Sequence, residues 1–332
     1  MPRWLRSVYS LLVAALGIGV FAYIVVVSSR RKQAAHERRA SARAPAASAS
    51  VRKPGTSERA TVEKSKLPPI RIGWTAWSDA EIVTNLAKRL LEQRMGYRVK
   101  LTMADIGIQY QGVASGDLDI MLMSWLPVTH QNYWKKVADK VVNLGPLYTR
   151  ARLGWVVPDY VPKSELDSIP DLTKPDVRRR IDSKVQGIDP GSGLMQNSEK
   201  ALKAYNLGGV TLVSASGAAM TAALGRAIRR KKWIVVTGWS PHWMFAKWKL
   251  RYLKDPKHAL GGRERIHALA RKGFYQDYPP DVTGFFVRMF LPLDQLEAAM
   301  LEASKTSVDK AVDDYIKAHP KRVHYWTTGR FE

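Results

Sequence analysis

Three tryptophans stand where strands of the sequence are predicted to end. Trp77 follows the apolar segment 70–74, and Trp125 and Trp239 each close an apolar run. In open α/β sheets, ligands bind beyond the carboxyl ends of the strands. Three aromatic faces meeting there would suit a quaternary ammonium group, which has no N–H to donate and is held by cation–π attraction and dispersion. The competing interpretation is that each ring only fills the core of the fold.

A glycine-rich turn lies between a predicted strand and a predicted helix. Its sequence is Gly187-Ile-Asp-Pro-Gly-Ser-Gly-Leu-Met195. Backbone N–H groups at the start of a helix have no intrahelical acceptor and therefore favour an anion, here a carboxylate. An ordinary tight turn is the alternative interpretation. The rings and the turn together would match the two ends of a zwitterion.

The sequence carries none of the common catalytic motifs. It has no nucleophile elbow, no P-loop, no dinucleotide fingerprint after a strand and no HExxH pair. Cysteine is absent, which removes thiolate ligands and nucleophiles. His258 and His267 are nine residues apart without a third ligand nearby. The sequence therefore predicts a binding protein and not an enzyme, with no cofactor and no metal.

The segments that carry these residues alternate between strands and helices. Predicted strands cover 70–74, 99–103, 118–125, 184–188, 210–214 and 233–239, and predicted helices cover 80–95, 107–115, 193–205, 218–229, 292–306 and 307–319. Such alternation indicates βαβ units and largely parallel sheets.

The strand and helix segments form two series, separated by the proline-rich stretch 156–180. This division predicts an α/β protein of two lobes with a ligand cleft between them. Lobe A comprises residues 69–158 and 286–332, and lobe B comprises 159–285. Hinge strands near Val156 and Phe285 are expected to join the lobes.

The N-terminal residues differ in composition from the rest. Residues 7–29 form an uncharged apolar run that matches the roughly 20 residues needed to cross a bilayer. Residues 1–29 are therefore interpreted as a transmembrane anchor or a cleaved signal. The Ala- and Ser-rich basic segment 30–68 predicts a disordered tether. Its basic residues leave the membrane orientation open. The formal net charge is +24, but no compact nucleic-acid-binding motif accompanies it, so no nucleic-acid partner is expected.

Several longer motifs, spread over about residues 70–329, resemble those of one known family. The motifs are Trp125-Leu-Pro-Val-Thr-His130, Gly187-Ile-Asp-Pro-Gly-Ser-Gly193, Ser214-Ala-Ser-Gly-Ala-Ala-Met-Thr221 and Thr237-Gly-Trp-Ser-Pro-His-Trp-Met-Phe245. They are similar to the glycine betaine-binding proteins of osmoprotectant ABC importers, a quaternary-ammonium substrate-binding family.

The resemblance implies a bilobal periplasmic-binding-protein fold, type II-like, that closes around its ligand. Carried over by motif, the aromatic box around the trimethylammonium group consists of Trp77, Trp125 and Trp239. The donors to the ligand carboxylate are His130 and the backbone N–H groups of Gly193 and Leu194. Trp74 and Trp155 depart from the family pattern, and they leave the box intact.

The resemblance also implies partners and a location. An ABC permease and an ATPase on other chains would receive the ligand. The protein would lie at the periplasmic or other extracytoplasmic face, held at the membrane by its N-terminal anchor or secreted if that segment is cleaved. Two alternatives stay open at this point: a choline- or carnitine-selective receptor, and a ligand-sensing module for a membrane signalling partner.

Overall fold

The computed structural model describes Lys64 and residues 66–331. The predicted anchor or signal at 1–29 and nearly all of the predicted tether at 30–68 lie outside the described residues. Within the described part, no helix combines the length and the apolar character needed to span a membrane.

Nine strands of residues 66–331 belong to one sheet. They are β1 (Ile70–Trp74), β2 (Val99–Met103), β3 (Ile120–Leu126), β4 (Val141–Pro158), β5 (Lys184–Gln186), β6 (Thr211–Val213), β7 (Val235–Ser240), β8 (Leu250–Tyr252) and β9 (Arg263–Arg271). The helices before β7 are α1 (Ser78–Gln93), α2 (Ile106–Ser115), α3 (Gln131–Val137), α4 (Pro175–Arg180), α5 (Gly193–Ala204) and α6 (Gly217–Arg229). Those after β7 are α7 (Trp243–Lys247), α8 (Phe274–Asp277), α9 (Pro280–Arg288), α10 (Leu293–Lys305), α11 (Val308–Ala318) and α12 (Pro320–Thr328).

The sheet has two parallel parts that are joined by antiparallel strands. Its order is β2-β1-β3-β9-β4-β7-β5-β6, with β8 beside β4. The part built on β1, β2 and β3 is called the first lobe, and the part built on β5, β6 and β7 the second lobe. The long strand β4 pairs with β9 over 141–152 and with β7 over 152–156, so it carries the chain from the first lobe to the second. The predicted α/β, two-lobed organisation is confirmed.

Each lobe is organised around buried strands and the apolar faces of helices. Every residue of β3 is buried, as expected for a strand that helices cover on both faces. The second lobe has a separate core that includes Trp155, which is 0% exposed. The Trp155 indole N–H donates to Ser198 Oγ at 2.9 Å, so this large ring is buried with its polar atom satisfied.

The predicted hinge strand near Phe285 is wrong, although Val156 does lie in the connecting strand β4. Phe285 is a fully buried residue of helix α9, in the core that also contains Ile70 of the first lobe. Pro280 fits the first turn of this helix, and Phe285 lies three residues after the buried Val282, the spacing of a helix face. The chain returns from the second lobe in β9, and the predicted lobe boundary after residue 285 falls inside α9.

Candidate functional site

The three predicted tryptophans come together around one cavity. Trp77 lies in the turn between β1 and α1, Trp125 lies in β3, and Trp239 lies in β7. They are at most 6% exposed, so their rings face protein and the cavity instead of bulk water. A small cavity lies between the rings, and His130, Gly193 and Leu194 also line it. The structure therefore brings all six predicted site residues together.

His130 is held so that one ring nitrogen is occupied and the other is left as a donor. Its Nδ1 accepts the backbone N–H of Trp125 at 3.1 Å. Burial lowers the pKa of His130 to about 3, so the ring is neutral at ordinary pH and carries its proton on Nε2. The ring stands at the N-cap position of α3, but its side chain makes no capping hydrogen bond. His130 thus supplies one uncharged N–H donor to the cavity that it lines.

The loop that carries His130 is tied down by a buried carboxylate from β9. Glu264 is 1% exposed and accepts the backbone N–H of Thr129 at 3.0 Å and its hydroxyl at 2.9 Å. Val128 N–H donates to the same carboxylate at 3.3 Å. These bonds fix the position of the loop from 135 residues away along the chain. Sequence reasoning missed Glu264, since no local pattern marks a partner at that separation.

The start of helix α5 offers two further donors. Ser192 caps the helix, and its hydroxyl accepts the backbone N–H of Met195 at 3.2 Å. The preceding N–H groups, those of Gly193 and Leu194, stand in the first turn, where the helix has no acceptor for them. A Cβ on Gly193 would lie 2.3 Å from the carbonyl oxygen of Thr129, so only glycine lets the helix start approach the His130 loop.

Two aspartates that the sequence did not single out contact the box. Trp77 donates its indole N–H to Asp189 Oδ1 at 3.1 Å, and Trp239 donates to Asp79 Oδ1 at 3.1 Å. Tyr148 also donates to Asp79, at 2.6 Å. Asp79 lies only two residues after Trp77, and Asp189 lies in the glycine-rich turn. The sequence did not predict these hydrogen bonds, because the tryptophan that each aspartate contacts comes from the other lobe.

Polar side chains next to the cavity also bridge the two lobes. Tyr133, on α3, donates its hydroxyl to the carbonyl of Gly191 at 2.6 Å. Gln196, on α5, donates to the Tyr133 hydroxyl at 3.1 Å and accepts from Asn132 at 3.1 Å. These contacts hold the start of α5 against the first lobe. The site is therefore assembled from both lobes and is complete only when they are in contact.

The geometry defines a receptor class. One part of the cavity is formed by aromatic faces, which attract a cation without hydrogen bonds. Another part presents N–H donors from an uncharged imidazole and a helix start, which suit a carboxylate. Two lobes around such a cavity make a substrate-binding protein.

Comparison with known families agrees with this class. Residues 68–318 match the family described as the substrate binding domain of ABC-type glycine betaine transport systems. The chain belongs to this family, and the resemblance seen in the sequence is confirmed.

Two relatives identified by sequence are named as glycine betaine-binding proteins. The glycine betaine/carnitine transport binding protein GbuC of Listeria monocytogenes is 38% identical over 159 residues, which cover 47% of this chain and 53% of that protein. The chain thus matches about half the length of this relative. The glycine betaine/proline betaine-binding periplasmic protein of Salmonella typhimurium is 25% identical over 286 residues, covering 75% of this chain and 86% of that protein.

Solved structures share the fold across the same region. Lactococcal OpuAC, in its closed-liganded conformation with glycine betaine, is 36% identical with a TM-score of 0.72. The match covers 78% of this chain and 99% of that one. The glycine/betaine/L-proline-binding protein ProX of Borrelia burgdorferi is 30% identical with a TM-score of 0.73, and the match covers 78% of this chain and 97% of that one. Both matches span nearly the whole length of the solved structures.

Proposed function

We propose that this chain binds glycine betaine or a closely related quaternary ammonium compound and delivers it to an ABC importer. The trimethylammonium group lies among Trp77, Trp125 and Trp239, and the carboxylate lies against His130 and the start of α5. No bond of the ligand is made or broken. The single observation that carries the proposal is the convergence of three strand-end tryptophans and these donors on one cavity.

The aromatic part of the cavity favours a methylated ammonium over a primary amine. A trimethylammonium group has no N–H, so it needs no acceptors and gains from ring faces alone. A primary ammonium has three N–H groups that would each need a partner. Trp77 and Trp239 offer the cation their faces while their own N–H groups are already bonded to aspartates. The box therefore selects for methylation.

The donor part of the cavity favours a carboxylate over a hydroxyl. His130 Nε2–H and the N–H groups of Gly193 and Leu194 are all donors, and hydrogen bonds to a charged acceptor are worth about 1.5–3 kcal/mol. Choline carries the same cation but offers only a hydroxyl at the other end. A betaine is therefore the better match to both parts of the cavity.

Calorimetric titration of the full-length chain tests this proposal. We expect glycine betaine and proline betaine to bind more tightly than choline, and glycine itself not to bind. Trp125→Ala should weaken betaine binding by roughly 1–3 kcal/mol, because cation–π and packing contributions are lost together. Failure of the wild-type chain to bind any quaternary ammonium compound would refute the proposal.

The proposed partners are a permease and an ATPase, reached from the extracytoplasmic face of the membrane. Residues 1–29 serve as the membrane anchor in this proposal, on the basis of their apolar run. The test is membrane fractionation of cells that make the full chain or a chain starting after residue 29. The full chain should stay with the membrane after washing at high pH, and the shortened chain should be released. Release of both chains would rule out the anchor.

A further inference from the structure

Two of the three tryptophans in the box are bonded to aspartates whose negative charge has no role in the proposed function. Trp77 and Trp239 each donate an indole N–H to an aspartate, Asp189 and Asp79 respectively, at 3.1 Å in both cases. The two pairs cross between the lobes in opposite directions. The first lobe supplies Trp77 and Asp79, and the second supplies Trp239 and Asp189. Each pair can therefore form only when the lobes meet.

Asp79 is fully buried among donors. Tyr148 donates to its Oδ2 at 2.6 Å. Backbone N–H groups at the start of α1, including that of Ala80, also donate to this carboxylate. Indole and backbone N–H groups can only donate, so these neighbours favour a charged carboxylate. Burial raises the pKa of Asp79, and the bonds from Tyr148, the backbone and Trp239 oppose that rise.

Neither aspartate has a cationic partner within the described chain. The salt bridges of residues 64 and 66–331 involve neither Asp79 nor Asp189. Asp189 is partly buried, and the nearby charge of Asp105 adds to the effect of burial in raising its pKa. Buried carboxylates are normally paired, since an isolated charge is costly in a medium of low dielectric constant. The described residues therefore leave both carboxylates without a positive charge, which a bound cation would supply.

We propose that Asp79 and Asp189 are the counter-ions of the bound quaternary ammonium and act through the tryptophans to which they are bonded. A carboxylate at the N–H edge of an indole fixes the ring and makes its face more negative. A more negative face attracts a cation more strongly. This inference rests on the proposed function, because it requires a cation in the box.

The pairs also couple cation binding to contact between the lobes. A ligand shifts a conformational equilibrium only through interactions that are better in one state than in the other. The two Trp–Asp bonds exist only with the lobes together, so the cation meets the strengthened rings only in that state. Asp79 and Asp189 are thus positioning residues that act on ligand through Trp239 and Trp77.

The experiment replaces each aspartate by asparagine in the full-length chain. Asparagine keeps an oxygen acceptor for the indole N–H and removes the charge. We expect Asp79→Asn and Asp189→Asn each to weaken glycine betaine binding about tenfold, which corresponds to about 1.4 kcal/mol. Asp105→Asn is the matched control. It removes an exposed charge close to Asp189 that is bonded to no ring, and its betaine affinity should stay within twofold of wild type.

An analogue with an uncharged head group separates the effect of the cationic charge from that of shape. The anion 3,3-dimethylbutanoate has the outline of glycine betaine with carbon in place of the cationic nitrogen, and its affinity is measured by competition at millimolar concentration. We expect the asparagine variants to change its affinity less than twofold. An equal loss of affinity for both ligands would show that the aspartates only support the packing of the rings, and it would overturn the proposal. Betaine affinity equal to wild type in both variants would overturn it as well.

A readout without ligand keeps this inference distinct from the proposed function. The indole N–H resonances of Trp77 and Trp239 in ¹H–¹⁵N spectra report the bonds to Asp189 and Asp79 whatever the ligand is. Each resonance should shift in the variant that removes the charge of its own partner and stay in place in the other variant. Shifted resonances with no betaine binding by the wild type would refute the proposed function, and with it the counter-ion role. Unshifted resonances with tight betaine binding would refute only the Trp–Asp pairing.

Discussion

The substitution His130→Asn separates the two ring nitrogens of this residue. Nδ1 accepts the backbone N–H of Trp125 at 3.1 Å, whereas Nε2–H remains for the ligand. The asparagine side-chain oxygen can take the place of Nδ1, so the bond to Trp125 is kept. Nothing in asparagine reaches the position of Nε2. The variant therefore removes the proposed donor to the carboxylate while leaving the loop in place.

The expected magnitude follows from the loss of one hydrogen bond to a charged acceptor. Such bonds are worth about 1.5–3 kcal/mol, so the dissociation constant for glycine betaine should rise about 10- to 150-fold. Choline has no carboxylate, and its affinity should fall by less than about fivefold, the effect of a weaker neutral bond. Isothermal titration calorimetry of wild type and variant with both ligands measures the ratio directly.

His242 provides a control of the same design. Its Nδ1 accepts the backbone N–H of Met244 at 3.1 Å, it is also buried, and it lies three residues after Trp239 in the chain. His242 lines a different cavity, which shares Trp77 and Trp239 with the box but includes none of the proposed carboxylate donors. His242→Asn should therefore affect betaine and choline alike. If His130→Asn also weakens the two ligands by the same factor, the assignment of Nε2–H to the carboxylate is wrong.

Three further predictions concern packing, acid stability and lobe contact. Gly193→Ala should lower betaine affinity, and it should lower the free energy of unfolding by roughly 1–3 kcal/mol, because the new Cβ would overlap the Thr129 carbonyl. Calorimetry measures the affinity and denaturant titration measures the stability. Gly208→Ala is the control and should change neither quantity, since the space around Gly208 is open. Burial lowers the pKa of His242 to about 3, so the unfolded chain binds its proton first and stability is lost as the pH falls below about 6.5. Between pH 7 and pH 5 the wild type should lose about 2 kcal/mol more than His242→Asn in urea unfolding, and equal losses would contradict the buried neutral ring. Tyr133→Phe removes the hydroxyl that bonds to both Gly191 and Gln196 across the lobes, and it does not change a residue that lines the cavity. It should weaken betaine about two- to tenfold by calorimetry, and an unchanged affinity would show that these bonds do not stabilise the closed arrangement.

The sequence by itself was sufficient for the parallel strands of both lobes and for six of the residues that line the cavity, whereas the connecting strand β9 and most of β4 were not predicted. The strands that end near Trp77, Trp125 and Trp239 could be predicted because strand and helix periodicities are short-range and apolar runs are visible in the chain. The sharp turn before Gly193 was equally visible, since glycine and proline mark turns by their own backbone preferences. The two-lobed α/β organisation followed from the alternation of these elements.

Only the tertiary structure decided which polar groups support the cavity and where the chain crosses between lobes. The pairing of Glu264 with the His130 loop, like the bonds of Asp79 and Asp189 to tryptophans, joins residues more than 100 positions apart. Phe285 showed the same limit, because its apolar segment fitted a strand as well as a buried helix until packing into the first core selected the helix. Contacts of this kind depend on how whole elements pack, and no pattern within a single segment records them.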